Sequence, residues 1–271
     1  MTLTRFVPAT SELVLRGKLS TFDSARPKII SDIVSVARRE FSGDSVDWLL
    51  GQALYQERGR LRRQGLNPFT FARKKRDQEL WRSIHRGLLR NSTEVDRKVL
   101  LEKVLGHYGN EIGGHFKEGV YRFATHAVPF LFNWLVNAAS LKQFAVWKQT
   151  ERLNERISIF GEVSELQALS RKGTVLLVPT HQSNIDSILI GYLIYLMGLP
   201  PFAYGAGLNL YSNPVFSFFM SSLGAYTVDR QKDNPIYKSV LKNYSTRILE
   251  EGIHSIFFPG GGRSRSGAIE S

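Results

Sequence analysis

Thr174-Val175-Leu176-Leu177-Val178-Pro179-Thr180-His181-Gln182-Ser183-Asn184-Ile185-Asp186 is the stretch on which the reading of this chain turns. The apolar run at residues 174–178 reads as a buried strand. It empties into a polar turn and then into an apolar helix over residues 186–197, with Ser183, Asn184 and Asp186 all of helix-capping type. Similar short apolar runs, bounded by Gly, Pro or polar residues, stand at residues 156–160, 202–205, 225–228 and 255–258. Helical segments at residues 214–223 and 235–250 alternate with them, and both open on a proline suited to a first helical turn. Such alternation predicts an α/β fold, a largely parallel sheet flanked by helices. Ligands of such sheets sit beyond the carboxyl ends of the strands, so three strand ends are the places to search.

The first is the turn just quoted. His181 and Asp186 are five positions apart, which on a regular helix separates them by about 140°. In a turn feeding a helix the chain can fold back and bring them together. A carboxylate on one ring nitrogen fixes the imidazole tautomer and leaves the other nitrogen as a base near neutral pH. The competing reading makes Asp186 a helix cap and His181 a polar loop residue. The second strand end is Gly224-Ala225-Tyr226-Thr227-Val228-Asp229-Arg230. The Arg230 guanidinium there either grips a phosphate with a fork of donors or forms a surface pair with Asp229. The third is Phe257-Phe258-Pro259-Gly260-Gly261-Gly262-Arg263-Ser264-Arg265-Ser266-Gly267. Its glycines let backbone N–H groups approach an anion, and its arginines and serines add donors. A flexible linker is the other reading, opposed by the two phenylalanines that feed it. Together the three ends describe one base and a phosphate cradle. The sequence shows no metal-ligand cluster, no Walker-type lysine and no serine-nucleophile elbow.

Up to about residue 150 the apolar spacing is helical, at residues 23–41, 45–55 and 94–105, with a helix start at residues 92–94. We divide the chain into a helical N-terminal region, residues 1–110, and an α/β domain, residues 111–271. Between the helical segments lies a basic stretch: Arg58, Arg60, Arg62, Arg63, Arg73, Lys74, Lys75 and Arg76. It reads as a solvated helix face or as a patch for anionic lipid or an acidic carrier protein. The net charge of +12 and pI of 9.9 favour anionic partners in general. Aromatics are not interleaved with the charges as base stacking requires, so nucleic acid is not an expected partner. The absence of cysteine excludes disulfides, thiolate zinc sites and cysteine nucleophiles. Residues 1–20 lack the continuous apolar stretch of a signal peptide. The most apolar segments, residues 128–141 and 188–210, are interrupted by Asn133 and Asn137 and by Gly198, Pro200 and Pro201. They read as buried or interfacial helices rather than spans, and membrane contact is expected to be peripheral.

Over residues 109–267 these motifs, in this order, resemble the glycerolipid acyltransferases that share a His-x4-Asp motif. Residues 178–210, including Ala206-Gly207-Leu208-Asn209, resemble the glycerol-3-phosphate acyltransferase branch, as does the Gly-Gly-Arg-Ser-Arg core at residues 261–265. The resemblance places His181 and Asp186 on the family's catalytic pair and Arg230 on its phosphate-binding arginine. It assigns Ser183, Gly261, Gly262, Arg263, Ser264 and Arg265 to substrate binding. It implies acyl transfer from acyl-CoA or acyl carrier protein to glycerol 3-phosphate in phospholipid synthesis. No metal and no cofactor beyond the thioester co-substrate are expected. The implied location is cytoplasmic, peripheral at the inner face of an anionic membrane. The helix at residues 120–141, with Phe123, Phe130, Phe132 and Trp134, then faces acyl chain or bilayer, or is ordinary core. Two other readings stand beside this one: a lysophosphatidate (1-acylglycerol-3-phosphate) acyltransferase and a non-catalytic membrane-binding relative. The chain also departs from the family pattern. Gly260 stands where the family has glutamate, and Asp229 where the branch often has a second arginine. Ser271 precedes a fourth, proline-containing motif, so the domain is expected to be C-terminally incomplete.

Overall fold

Apolar residues at three- and four-residue spacing give the first half of the chain its helices. A computed structural model describes residues 5–6, 17–41, 45–63, 65, 71–90, 93–137, 157–181, 186–208 and 214–259, with backbone only at 5–6, 130–137 and 214–216. Among the described residues, a two-residue strand, β1 (Arg5–Phe6), and a short 3-10 turn (Lys18–Thr21) precede the α-helices α1 (Phe22–Glu40), α2 (Val46–Arg63), α3 (Phe71–Leu89), α4 (Glu94–Ile112) and α5 (Glu118–Asn137). Along α1 the stripe Phe22, Ile29, Ile30, Ile33 and Ala37 is buried, as one helical face demands. The start of α4 is a capping box. The Thr93 hydroxyl accepts from the Asp96 N–H, and the Asp96 carboxylate accepts from the Thr93 N–H at 2.9 Å.

The second half alternates as the sequence predicts. β2 (Ile159–Phe160), α6 (Val163–Lys172), β3 (Leu176–Leu177), α7 (Asp186–Leu196), β4 (Ala203–Gly207), α8 (Pro214–Met220), β5 (Ala225–Val228), α9 (Pro235–Glu250) and β6 (Ser255–Ile256) follow in order. Four strands form a parallel sheet in the order β3-β6-β4-β5. The run at residues 156–160 does not join it: β2 pairs antiparallel with β1 instead. Of the apolar segment 188–210, the described residues 188–208 hold the rest of α7 and all of β4, separated by a turn at Gly198 where φ is +66°.

Alternation along the strands divides the core between the two sheet faces. Ala203 and Tyr226 join Ile33, Leu50, Trp81, Leu105 and Tyr108 of the helical bundle, with Tyr237 and Tyr244 of α9. Tyr204, Ala206 and Ala225 point the other way, onto Ile194 of α7 and Met220 of α8. Burying each such large side chain contributes about 1.5–3 kcal/mol relative to leaving it exposed. The link from α4 to α5 passes so close to β5 that a Cβ on Gly114 would lie 2.3 Å from the Ala225 carbonyl oxygen, so only glycine fits. Arg26 of α1 closes that link by donating to the carbonyls of Asn110, Gly113 and Gly114. Among the described residues, no helix is long and apolar enough to cross a membrane.

Two members of the basic stretch must be taken off the surface. Arg60 is 3 % exposed and Arg73 is half-buried, both bound to carboxylates inside the bundle. Arg58, Arg62, Arg63, Lys75 and Arg76 remain exposed.

Candidate active site

All four strands of the sheet run the same way, so their carboxyl ends share one edge. His181 follows β3 at that edge, and Asp186 is the first residue of α7. His181 Nδ1 lies 3.1 Å from Asp186 Oδ2. A carboxylate can only accept, so Nδ1 donates; in the neutral ring that leaves the lone pair on Nε2. The two side chains are 22 % and 19 % exposed, sheltered yet open to an incoming reactant. The neighbouring strand β6 sends Phe258 against the imidazole, with ring centroids 4.6 Å apart. Phe258 was missed as a site residue; its apolar character reads only as strand core.

Arg230 follows β5 and is exposed. Two strands, β6 and β4, lie between β3 and β5, so Arg230 leaves the sheet about 14 Å from the exit of His181 at 4.7–4.9 Å per strand. The surface pair with Asp229 does not form. Asp229 is 1 % exposed and faces inward, Oδ1 accepting the Gln231 N–H at 3.0 Å and Oδ2 standing 3.6 Å from Arg60 Nη1. That second oxygen has no hydrogen-bond partner, so Arg60 supplies it with charge alone.

Behind this turn lies a buried ionic network that nothing in the sequence announces. Arg60 reaches Glu57 Oε2 at 2.7 Å and Asp77 Oδ2 at 2.5 Å. Glu57 Oε1 accepts from Tyr108 at 3.0 Å and from Asn234 at 3.2 Å. Lys232, its side chain wholly buried, holds Glu111 Oε2 at 2.5 Å and lies 3.7 Å from Asp77 Oδ2; Arg73 binds the other Glu111 oxygen. Burial alone would raise the Asp77 carboxyl, but the His107 hydrogen bond and the charges of Lys232 and Arg60 hold it well below the usual carboxylate range. Glu111 is lowered against the same burial by Lys232 and Arg73. Asp77, His107 and Glu111 place ligand-type atoms within 4.8 Å of one another, as a metal site requires. Their carboxylates already face Lys232, Arg60 and Arg73, so they serve as counter-ions inside the protein.

Of the residues expected at the site, the structure brings His181 and Asp186 together and sets Arg230 on the same sheet edge. Ser183, Gly261, Gly262, Arg263, Ser264 and Arg265 lie outside the described residues, as does Gly260.

The histidine–aspartate pair thus stands at the carboxyl edge of a parallel sheet. Residues 161–270 match the family model described as Acyltransferase. Among individual proteins the chain is similar to a glycerol-3-phosphate acyltransferase of Pseudoalteromonas translucida (strain TAC 125), 32 % identical over 162 residues, covering 59 % of this chain and 18 % of the relative. It is also similar to proteins of that name from Pseudomonas entomophila (strain L48) and Pseudomonas aeruginosa (strain UCBPP-PA14). Each is 28 % identical over 69 % of this chain, which covers 21 % and 22 % of the relative. The chain thus spans about a fifth of the length of these relatives.

Proposed function

We propose that this chain transfers an acyl group from an acyl thioester, acyl-CoA or acyl carrier protein, to a hydroxyl of glycerol 3-phosphate in phospholipid synthesis. The observation that carries the reading is the 3.1 Å His181–Asp186 contact at the sheet edge of a segment that matches the Acyltransferase family model. His181 Nε2 takes the proton of the attacking hydroxyl, whose oxygen bonds to the thioester carbonyl carbon. The carbon–sulfur bond then breaks, and the leaving thiolate takes the proton from the imidazolium. Asp186 stays ionised throughout, orienting the ring and stabilising its positive charge. Arg230 holds the acceptor phosphate, joined by the donors expected at Gly261, Gly262, Arg263, Ser264 and Arg265, with Ser183 in the intervening turn. An extended arginine and a three-carbon phosphate ester together suit the span of about 14 Å between the two strand exits. Fixing the acceptor in this way turns a bimolecular encounter into an oriented one.

Acceptor choice rests on the Gly-Gly-Arg core of the third motif. Asp229, which favours a lysophosphatidate acceptor by resemblance, is buried against Arg60 and turned away from any ligand at the edge. Thiol release from acyl-CoA tests the choice. It is expected to depend on added glycerol 3-phosphate and to proceed poorly with lysophosphatidate; the reverse preference would overturn the assignment.

The proposal extends to the surface of an anionic membrane, at its cytoplasmic, inner face. Arg58, Arg62 and Arg82, with His85, Gln78 and Trp81, surround a groove of about 340 Å³ between α2 and α3. None of these three arginines pairs with a carboxylate among the described residues. Phe123 of α5 stacks on Phe219 and stays 61 % exposed, and Phe218 is exposed beside it. The chain is expected to float with phosphatidylglycerol vesicles in low salt and to lose binding when Arg58 and Arg62 are replaced by Glu. Equal binding to neutral phosphatidylcholine vesicles would contradict it.

A further inference from the structure

We infer that Lys232 is a positioning residue for Arg230, fastening the turn that carries it to the helical bundle; the functional consequence rests on the acyltransferase reading above. The turn spans residues 229–232, and its ends and middle differ sharply. Asp229 and Lys232 are 1 % and 3 % exposed, whereas Arg230 and Gln231 between them are exposed. Both buried ends are held from the far side. Asp229 faces Arg60 of α2, and its N–H donates to the Tyr237 hydroxyl at 2.7 Å. Lys232 reaches Glu111 of α4 and Asp77 of α3, and its ammonium lies 4.9 Å from the Tyr108 ring centroid. The Lys232 N–H closes the turn onto the Asp229 carbonyl at 3.0 Å. Three bundle helices therefore grip the two residues that flank the exposed pair.

Stability does not explain such a network. Four carboxylates (Glu57, Asp77, Glu111, Asp229) and two basic side chains (Arg60, Lys232) are buried together, with Arg73 half-buried beside Glu111 and His107 2.9 Å from Asp77 and 3.5 Å from Glu111. Apolar side chains of similar volume stabilise a protein as well or better than buried ion pairs. What a charge network adds is register, because each partner fits one counter-charge in one place. The register imposed here is that of the bundle against the Arg230 turn. A guanidinium on an exposed two-residue tip can be pre-aimed at a phosphate only if the tip's base is rigid.

The test uses the full chain and two readouts, amide exchange and acceptor kinetics. Lys232→Met is expected to speed hydrogen exchange at the Gln231 and Lys232 amides while leaving α1 protected. It is expected to raise the KM for glycerol 3-phosphate on the order of tenfold with kcat little changed. Adding Arg230→Ala to Lys232→Met should then raise KM far less than Arg230→Ala does in the parent, because the two act through one group. Should Lys232→Met fail to fold, Glu111→Gln keeps the side-chain shape, removes the lysine's counter-charge and carries the same expectations. Unchanged exchange in the turn, or KM effects of the two substitutions that simply multiply, would overturn the inference. Absence of glycerol 3-phosphate turnover in the parent would count against the proposed function. The exchange measurement would then decide the anchoring by itself, faster exchange supporting it and unchanged exchange refuting it.

Discussion

At the scale of single residues, Asp186 has two jobs that the geometry does not separate: it opens α7 and it faces His181 Nδ1 at 3.1 Å. Replacing it by Asn keeps the shape but removes the charge that favours Nδ1–H and stabilises the imidazolium. Asp186→Asn is expected to lower kcat by about 10²–10⁴, measured as thioester consumption at saturating acceptor, with the melting temperature nearly unchanged. A large fall in melting temperature with near-normal kcat would make Asp186 a helix cap only. This pair was legible in the sequence because its residue types stand in a polar stretch between an apolar strand and an apolar helix. Lys232 was not. A lysine two places past an exposed arginine reads as solvent-facing, and its counter-charges at residues 77 and 111 are more than a hundred positions away.

At the scale of elements, the β3–β6 edge depends on a histidine outside the proposed chemistry. His254, just before β6, accepts the Val175 N–H on Nδ1 at 3.0 Å and packs on the Phe202 ring. Burial holds its imidazole below the ordinary value of 6.5. A proton on Nδ1 would break that bond, so folding favours the neutral ring. The folded pKa is depressed, so this contribution is complete above about pH 6.5 and is lost as pH falls through the folded value. The urea midpoint is expected to drop between about pH 7 and pH 5, and His254→Gln should flatten that drop. An equal drop in the variant would place the acid sensitivity elsewhere. The parallel strands and the helices between them were legible from period and punctuation. The pairing of β2 with β1 was not, because a short apolar run does not declare its partner.

At the scale of the whole molecule, the helical half and the sheet share one core, with Leu105 and Tyr108 of α4 packed in the same cluster as Tyr226 and Tyr237. The composition already implied enough apolar material for this, but no pattern along the chain shows that two buried cations join the halves as well. The bundle thus holds the sheet edge on which the proposed base and phosphate anchor stand. The central claim is that His181 removes the acceptor's proton. It is tested most directly by acyl-thioester consumption with glycerol 3-phosphate in the chain and in its His181→Ala variant. We expect the variant to lose about 10²–10⁴ in kcat while acceptor binding is largely kept; near-equal turnover in the two proteins would contradict the claim.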